Sequence, residues 1–384
     1  MKKHILIVLS PLFIATFILS LISCTEDADA KKPMKLTNLK MLARLTGEPL
    51  PNEIIPAPNN TIQYDVYGTD LGIMWHMEGN KIGIFFGDTN GEGFRVLTNG
   101  GGNGGNWRSN FVAFSEDTDL EDGLTISSMA LDEEGKAREI CAGAKTGGSD
   151  KYNTSIPTGA IRADGVDYVH YMNIYEWAGG AGRWLTNFSS LYASKDGGQT
   201  WERKKEVEFH SDSHFSQVAY AKKDGYVYMI GTQSGRGDAA YLARFKEKDI
   251  LDMTKYEYWN GENNKWVKGD EAAATPVIEA PVGETSLMYL EKQRRWIITY
   301  LLDHAFDKKA PRKAHTLVYR ESKDLKEWSD VKVIATDKEY PKLYCAYMHP
   351  LKNNGDKLYF LMSMWHPYNV FLLSADIELE DIGV

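Results

Sequence analysis

The chain has 384 residues, 43% hydrophobic and 12% aromatic, with a formal net charge of -9. It is long enough to bury a large core, and its acidic balance without a basic run excludes binding that relies on many Lys and Arg contacts to phosphate, so nucleic acid is not an expected partner. Three cysteines, Cys24, Cys141 and Cys345, make no disulfide framework, and no Cys-x-x-Cys or His/Cys cluster marks a zinc site.

The N-terminus reads as an address. Lys2 and Lys3 precede an almost wholly apolar run over residues 5–22, and Leu21-Ile22-Ser23-Cys24 follows at its end. This resembles the lipobox of bacterial lipoproteins, so residues 1–23 are expected to be a signal peptide and Cys24 the acylated first residue; an uncleaved membrane anchor is the alternative. Glu26-Asp27 resembles a surface-export signal. The expected location is the outer membrane or surface of a Gram-negative bacterium, with the membrane reached through the lipid. Residues 24–60, with Pro33, Pro49, Pro51, Pro56 and Pro58, read as a linker arm in which residues 36–45 have the spacing of a short amphipathic helix.

Residues 61–384 form the expected folded domain. Its first unit is a hairpin: apolar runs at residues 73–77 and 82–86 flank Glu78-Gly79-Asn80-Lys81, and Gly-Asn supplies turn chemistry. A turn centred on Gly79 sets Asp70 opposite Asp88. Opposed strand residues have Cβ atoms about 4.5–5.5 Å apart, where like charges destabilise. Either both aspartates cap turns, or the pair is kept for chemistry.

Four more units follow. Each opens with a hairpin, at residues 158–171, 216–231, 285–302 and 345–364, and adds outer strands. Such recurrence predicts an all-β, five-bladed β-propeller, with residues 62–67 placed to close the ring; a two-sheet sandwich is the alternative. Ser194-Lys195-Asp196-Gly197-Gly198-Gln199-Thr200-Trp201 matches the Asp-box pattern of propeller hairpin turns, an architectural motif, and Ser322, Asp324 and Trp328 form a looser copy.

Aligned hairpins put all first-strand starts and second-strand ends on one rim. Asp70, Thr158, Ser216, Glu284 and Cys345 begin first strands; Asp88, Asn173, Gln233, Asp303 and His366 fall at or beside second-strand ends. Trp107, Arg108, Glu176, Trp177, His214, Arg236, His304 and His349 are loop residues able to overhang that rim. An acidic, aromatic-lined funnel suits a neutral sugar polymer. Glycoside hydrolysis needs one protonated and one ionised carboxyl, and two close acids split their titrations. Asp70 and Asp88 supply such a pair, with Glu284 as a third acid or a buried anchor. Carboxyl separations of about 5 Å go with retention and about 6.5–9.5 Å with inversion, a choice the sequence leaves open. No cofactor is required; oxygen ligands at the axis would accommodate a structural Ca²⁺, though no loop has diagnostic spacing. A monomer is expected.

Gly68-Thr69-Asp70-Leu71-Gly72, Phe86-Gly87-Asp88-Thr89, Trp107-Arg108-Ser109-Asn110, Ile156-Pro157-Thr158-Gly159 and the segment 344–350 together resemble the bacterial endo-D-arabinanase family of glycoside hydrolases (family 183, formerly domain of unknown function 4185). The resemblance covers roughly residues 62–378. It implies a five-bladed propeller, cleavage within D-arabinofuranose chains, and an aspartate pair as acid and base, carried over onto Asp70 and Asp88. The insert Gly100-Gly101-Gly102-Asn103-Gly104-Gly105 lies where a substrate loop would sit and bears on specificity. Two rivals remain. A sialidase would need an arginine cluster, for which Arg108, Arg162, Arg183 and Arg236 have no telling spacing. A noncatalytic glycan-binding lipoprotein would tolerate Asn at positions 70 or 88.

Overall fold

In the computed structural model, residues 32–143, 153–177, 182–306 and 315–380 are described; Cys24 and the expected signal segment lie outside them. Five antiparallel sheets surround a central axis, making a five-bladed β-propeller. From the axis outward, blade 1 contains Leu71–His76, Ile82–Phe86, Phe111–Ser115 and Ser128–Met129. Blade 2 contains Thr154–Ala163, Val166–Glu176, Leu185–Ser194 and Glu202–His210. Blade 3 runs Gln217–Lys223, Tyr226–Thr232 and Ala240–Phe245, then adds the hairpin Glu257–Asn260 with Lys265–Lys268. Blade 4 is Thr285–Leu290, Arg295–Asp303, His315–Ser322 and Lys332–Thr336. Blade 5 takes Leu343–Met348, Lys357–Met364 and Asn369–Leu379, and its outermost strand is Met34–Arg44.

That last strand corrects the expected arm. Met34–Arg44 pairs antiparallel with Asn369–Leu379, from Met34 opposite Leu379 to Arg44 opposite Phe371. The ring is therefore closed by an N-terminal strand, and the folded domain begins before residue 61. The expected helix fails for a physical reason. Two register shifts, between Thr37 and Lys40 and between Met41 and Ala43, interrupt the strand's two-residue alternation and leave apolar residues at helix-like spacing. Met34 is fixed at one end by its N–H donating to Glu321 Oε1 (2.8 Å). Arg44 is fixed at the other by its ion pair with Glu53 (2.5 Å) and its position over the Phe371 ring. The segment expected to close the ring instead contains the 3-10 turn Thr61–Tyr64.

Trp201 shows what the Asp box does. Asp196 Oδ1 accepts from Ser194 Oγ (2.8 Å) and from the backbone N–H groups of Gln199 and Thr200 (3.1 and 2.9 Å). The turn so fixed throws Trp201 across to blade 1, edge-on to Trp75 and Phe85 with centroids 6.2 and 5.1 Å away. Trp201 therefore joins blades and stands apart from the aspartates. Trp201→Ala is expected to cost about 3 kcal/mol of stability, which denaturant unfolding would check. A variant as stable as wild type would reverse the assignment.

Candidate active site

Asp70 precedes a distorted strand entry. Leu71 has φ 67° and Gly72 φ 103°, and the pairing slips between Leu71 and Ile73. From His76 opposite Ile82 to Ile73 opposite Phe85 the register is the one expected from the turn at Gly79. The bulge at Gly72 then inserts one residue, so Asp70 sits across from Gly87, whose N–H donates to the Asp70 carbonyl (3.1 Å). The two aspartates are staggered by one position and not directly opposed. Gly87 makes the stagger workable: a Cβ there would lie 2.3 Å from Asp70 Oδ1.

Asp70 Oδ2 accepts from the Tyr344 hydroxyl (2.8 Å), while Oδ1 is buried with no hydrogen-bond partner. The residue keeps a part-exposed edge, yet its carboxyl is deeply set among protein atoms. Burial first, then the charge of Asp88, push its pKa up to about 8; Glu284 adds to the rise, and the Tyr344 and Tyr368 hydroxyls oppose it. Asp70 therefore holds a proton at neutral pH. Asp88 Oδ1 accepts from Thr154 Oγ1 (2.7 Å), and its backbone carbonyl accepts from the Tyr368 hydroxyl (3.1 Å).

Glu284 does not stand beside this pair as a free acid. Its Oε1 accepts from Arg236 Nε and Nη2 (3.0 and 2.7 Å), and Oε2 also meets Nε (3.2 Å). Of its two expected readings, third acid or buried anchor, this pairing is the arrangement of the anchor. Arg236 also approaches Asp303 (3.6 Å), and Asp303 approaches His315 (3.4 Å). Burial alone would favour loss of the Arg236 proton, but Glu284 and Asp303 outweigh it and raise the pKa. Burial opposes ionisation of Asp303 too, yet His315, the Ala305 N–H and Arg236 together lower its pKa.

The remaining expected residues divide. Asn173 is buried and its Oδ1 accepts from Asn187 Nδ2 (2.7 Å). Gln233 donates its side-chain amide to the Asp212 carbonyl (3.0 Å). Glu176, Trp177 and His366 are exposed and Trp107 is half-buried. Arg108 is corrected: it is buried and directed at Asp65, with Nη1 3.5 Å from Oδ2 and Nη2 on the Asp65 carbonyl (2.5 Å). The two residues after it are also structural, since Ser109 donates to Glu139 Oε1 (2.6 Å) and Asn110 to the carbonyls of Cys141 and Ser155 (both 2.8 Å). His349 follows the end of Leu343–Met348 and so sits away from the rim where that strand begins.

Sequence reasoning missed Thr154, Tyr344, Tyr368 and Trp365, which all border the aspartate pair or its hydroxyl donors. Tyr344 did lie in the family-like segment, and the cluster Trp365-His366-Pro367-Tyr368 was a usable signal. Farther along the inner strands lies a cavity of about 250 Å³ lined by Trp75, Ala160, Ala219, Tyr220, Met288 and Met348 among others. It is the carboxylate geometry, not this void, that locates the candidate site. Among the described residues no group of three or more His, Cys, Asp or Glu is placed to hold a metal ion.

Residues 56–374 match the family described as Domain of unknown function (DUF4185). The chain belongs to this family. Notoamide biosynthesis cluster protein J of Aspergillus sp. (strain MF297-2) is 24% identical over 319 residues, 79% of this chain and 81% of that protein. Among solved structures, a Bacteroides ovatus ATCC 8483 protein provisionally assigned as a hydrolase superposes with a TM-score of 0.56 at 12% identity, over 82% of this chain and 86% of the other. Zg3597, a family 117 glycoside hydrolase of Zobellia galactanivorans, gives 0.50 at 13% identity, over 92% and 93%. At these identities the likeness is one of fold. The DUF4185 domain of this chain is thus a five-bladed propeller with an aspartate pair at one end of its axis.

Proposed function

We propose that this DUF4185 protein is a glycoside hydrolase acting within D-arabinan or a related furanose glycan. The observation that carries the reading is the geometry of the pair: Asp70 is deeply set, accepts from Tyr344 and lies one register position from Asp88, and burial and the charge of Asp88 raise its pKa to about 8. Asp70 gives its proton to the glycosidic oxygen as the bond to the leaving sugar breaks. Asp88, on which Thr154 fixes one oxygen, serves as nucleophile or as base to water, and the carboxyl separation in the substrate complex decides which. Glu284, held by Arg236, adds to the rise of the Asp70 pKa. The hydrolase names of two structures sharing this fold support the reaction class, and the first-unit motifs support the furanose substrate. We further propose export as a lipoprotein anchored through Cys24 at the outer membrane, which would put the propeller where polymeric glycan is met.

The test is product sizing after incubation of the protein with mycobacterial arabinogalactan, plant L-arabinan and sialosides, with Asp88→Asn as control. Oligosaccharides released from arabinogalactan, and absent with the variant, are expected. Cleavage of another glycan alone would keep the hydrolase and discard D-arabinan. Binding without products from any substrate would make the protein a glycan-capture module.

A further inference from the structure

Trp365 is 41% exposed, yet its indole is braced on several sides. Tyr344 and Tyr368 meet it edge-on, with ring centroids 6.1 and 5.4 Å away and interplanar angles of 69° and 86°. Gly100 and Gly101 lie against it as well. A Cβ on Gly100 would fall 2.2 Å from Cδ1, and one on Gly101 2.6 Å from Cζ2, so glycine backbone follows the indole from its five-membered to its six-membered ring. Both glycines have positive φ, 89° and 78°, a conformation and a closeness that side chains resist. The Gly101 N–H donates to the Trp365 carbonyl (2.5 Å), and Lys342 Nζ donates to the Asn99 carbonyl, tying this loop to blade 5.

An exposed tryptophan that needed only cover would be served by any aliphatic neighbour. This one is held in a single orientation with part of its apolar surface left open. The two tyrosines that hold it are the same two that reach the acid pair: Tyr344 donates to Asp70 Oδ2 and Tyr368 to the Asp88 carbonyl. One side chain separates the open indole from each aspartate.

We propose that the exposed surface of Trp365 is a sugar-binding subsite that stacks one ring of an uncharged glycan chain beside Asp70 and Asp88. A sugar ring presents a face of C–H groups, weakly positive, to the negative face of the indole. The negative charges of Asp88 and Glu284 disfavour an anionic occupant. The glycine insert acts on substrate choice by fixing the height and tilt of this platform. The proposal rests on reading the axial site as a glycan site, and binding measured apart from turnover separates the two.

Affinity electrophoresis through gels containing mycobacterial arabinogalactan, L-arabinan or xylan would compare wild type with Trp365→Ala and Trp365→Phe, with melting curves as a check on folding. Wild type is expected to be retarded by at least one polymer, Trp365→Ala to bind it at least about tenfold more weakly, and Trp365→Phe to recover most of the loss. Gly101→Ala, which displaces the indole without removing it, is expected to weaken binding similarly. If the retarding polymer is also cleaved, Trp365→Ala raises KM about tenfold with kcat nearly unchanged. Equal retardation of wild type and Trp365→Ala, or no retardation of wild type by any polymer, would overturn the subsite. Retardation lost in Trp365→Ala without cleavage by wild type would uphold it while removing the hydrolase reading.

Discussion

Asp70→Asn is expected to lower kcat on the cleaved glycan by about 10²–10⁴-fold, the usual contribution of a positioned general acid, while making the folded protein more resistant to alkaline pH. Both effects have one origin. The folded Asp70 keeps its proton up to about pH 8, whereas a free aspartate gives it up near 3.8. Between those values the folded state binds more protons than the unfolded state, so its stability is complete below about pH 4 and falls as pH rises toward 8. The slope is at most about 1.4 kcal/mol per pH unit, moderated here by the part-exposed edge of the residue. Asn takes no charge and escapes the loss. Asp70→Asn should therefore melt at the wild-type temperature near pH 4 and above it at pH 8, a trade of stability against activity common at catalytic sites. In wild type, activity is expected to fall as pH passes about 8. Asp88→Asn removes one charge that raises Asp70, so it should lose turnover and shift any residual alkaline limb downward. An Asp70→Asn protein that turns over normally, or that is less stable than wild type at pH 8, would end the acid assignment.

The parts legible in the sequence were those set by short-range chemistry. The hairpin around Gly79 and the Asp-box turn are local, and each formed as its residues dictate. Gly72 exposed the limit of such reasoning: a bulge costs one residue of register, and a turn-based count carried past it misplaces Asp70 by one position. Closure of the ring by an early strand was expected, but the strand itself lay further out of reach, because Met34–Arg44 pairs with a strand more than three hundred residues away and its bulges disguise the alternation. Arg108 looked like a site residue because its neighbours in sequence did, but only the fold reveals Asp65 as its partner. Tyr344 and Tyr368 were hidden for the opposite reason. Aromatic residues are common along propeller strands, and only closure of blade 5 against blade 1 brings these two hydroxyls to the aspartates.

Arg236→Met is expected to be the most destabilising single change at this end of the propeller. Arg236 and its two carboxylate neighbours are nearly inaccessible, with side-chain exposures of 7% for Arg236, 11% for Glu284 and 4% for Asp303. Removing the guanidinium strands two negative charges where water cannot screen them. Breaking a buried pair by taking one partner costs about 3–5 kcal/mol, a fall in Tm of about 4–6 °C for a chain of this size. Glu284→Gln should cost less, since Arg236 keeps Asp303 at 3.6 Å. It should also lower the pKa of Asp70, because Glu284 is one of the charges that raise it, so the alkaline limb of activity moves down while kcat at neutral pH changes little. The double variant Arg236→Met/Glu284→Gln retains one stranded charge instead of two and should recover part of the Arg236→Met loss. Melting curves on the four proteins give the coupling directly. Simple additivity would mean that Glu284 and Arg236 act independently.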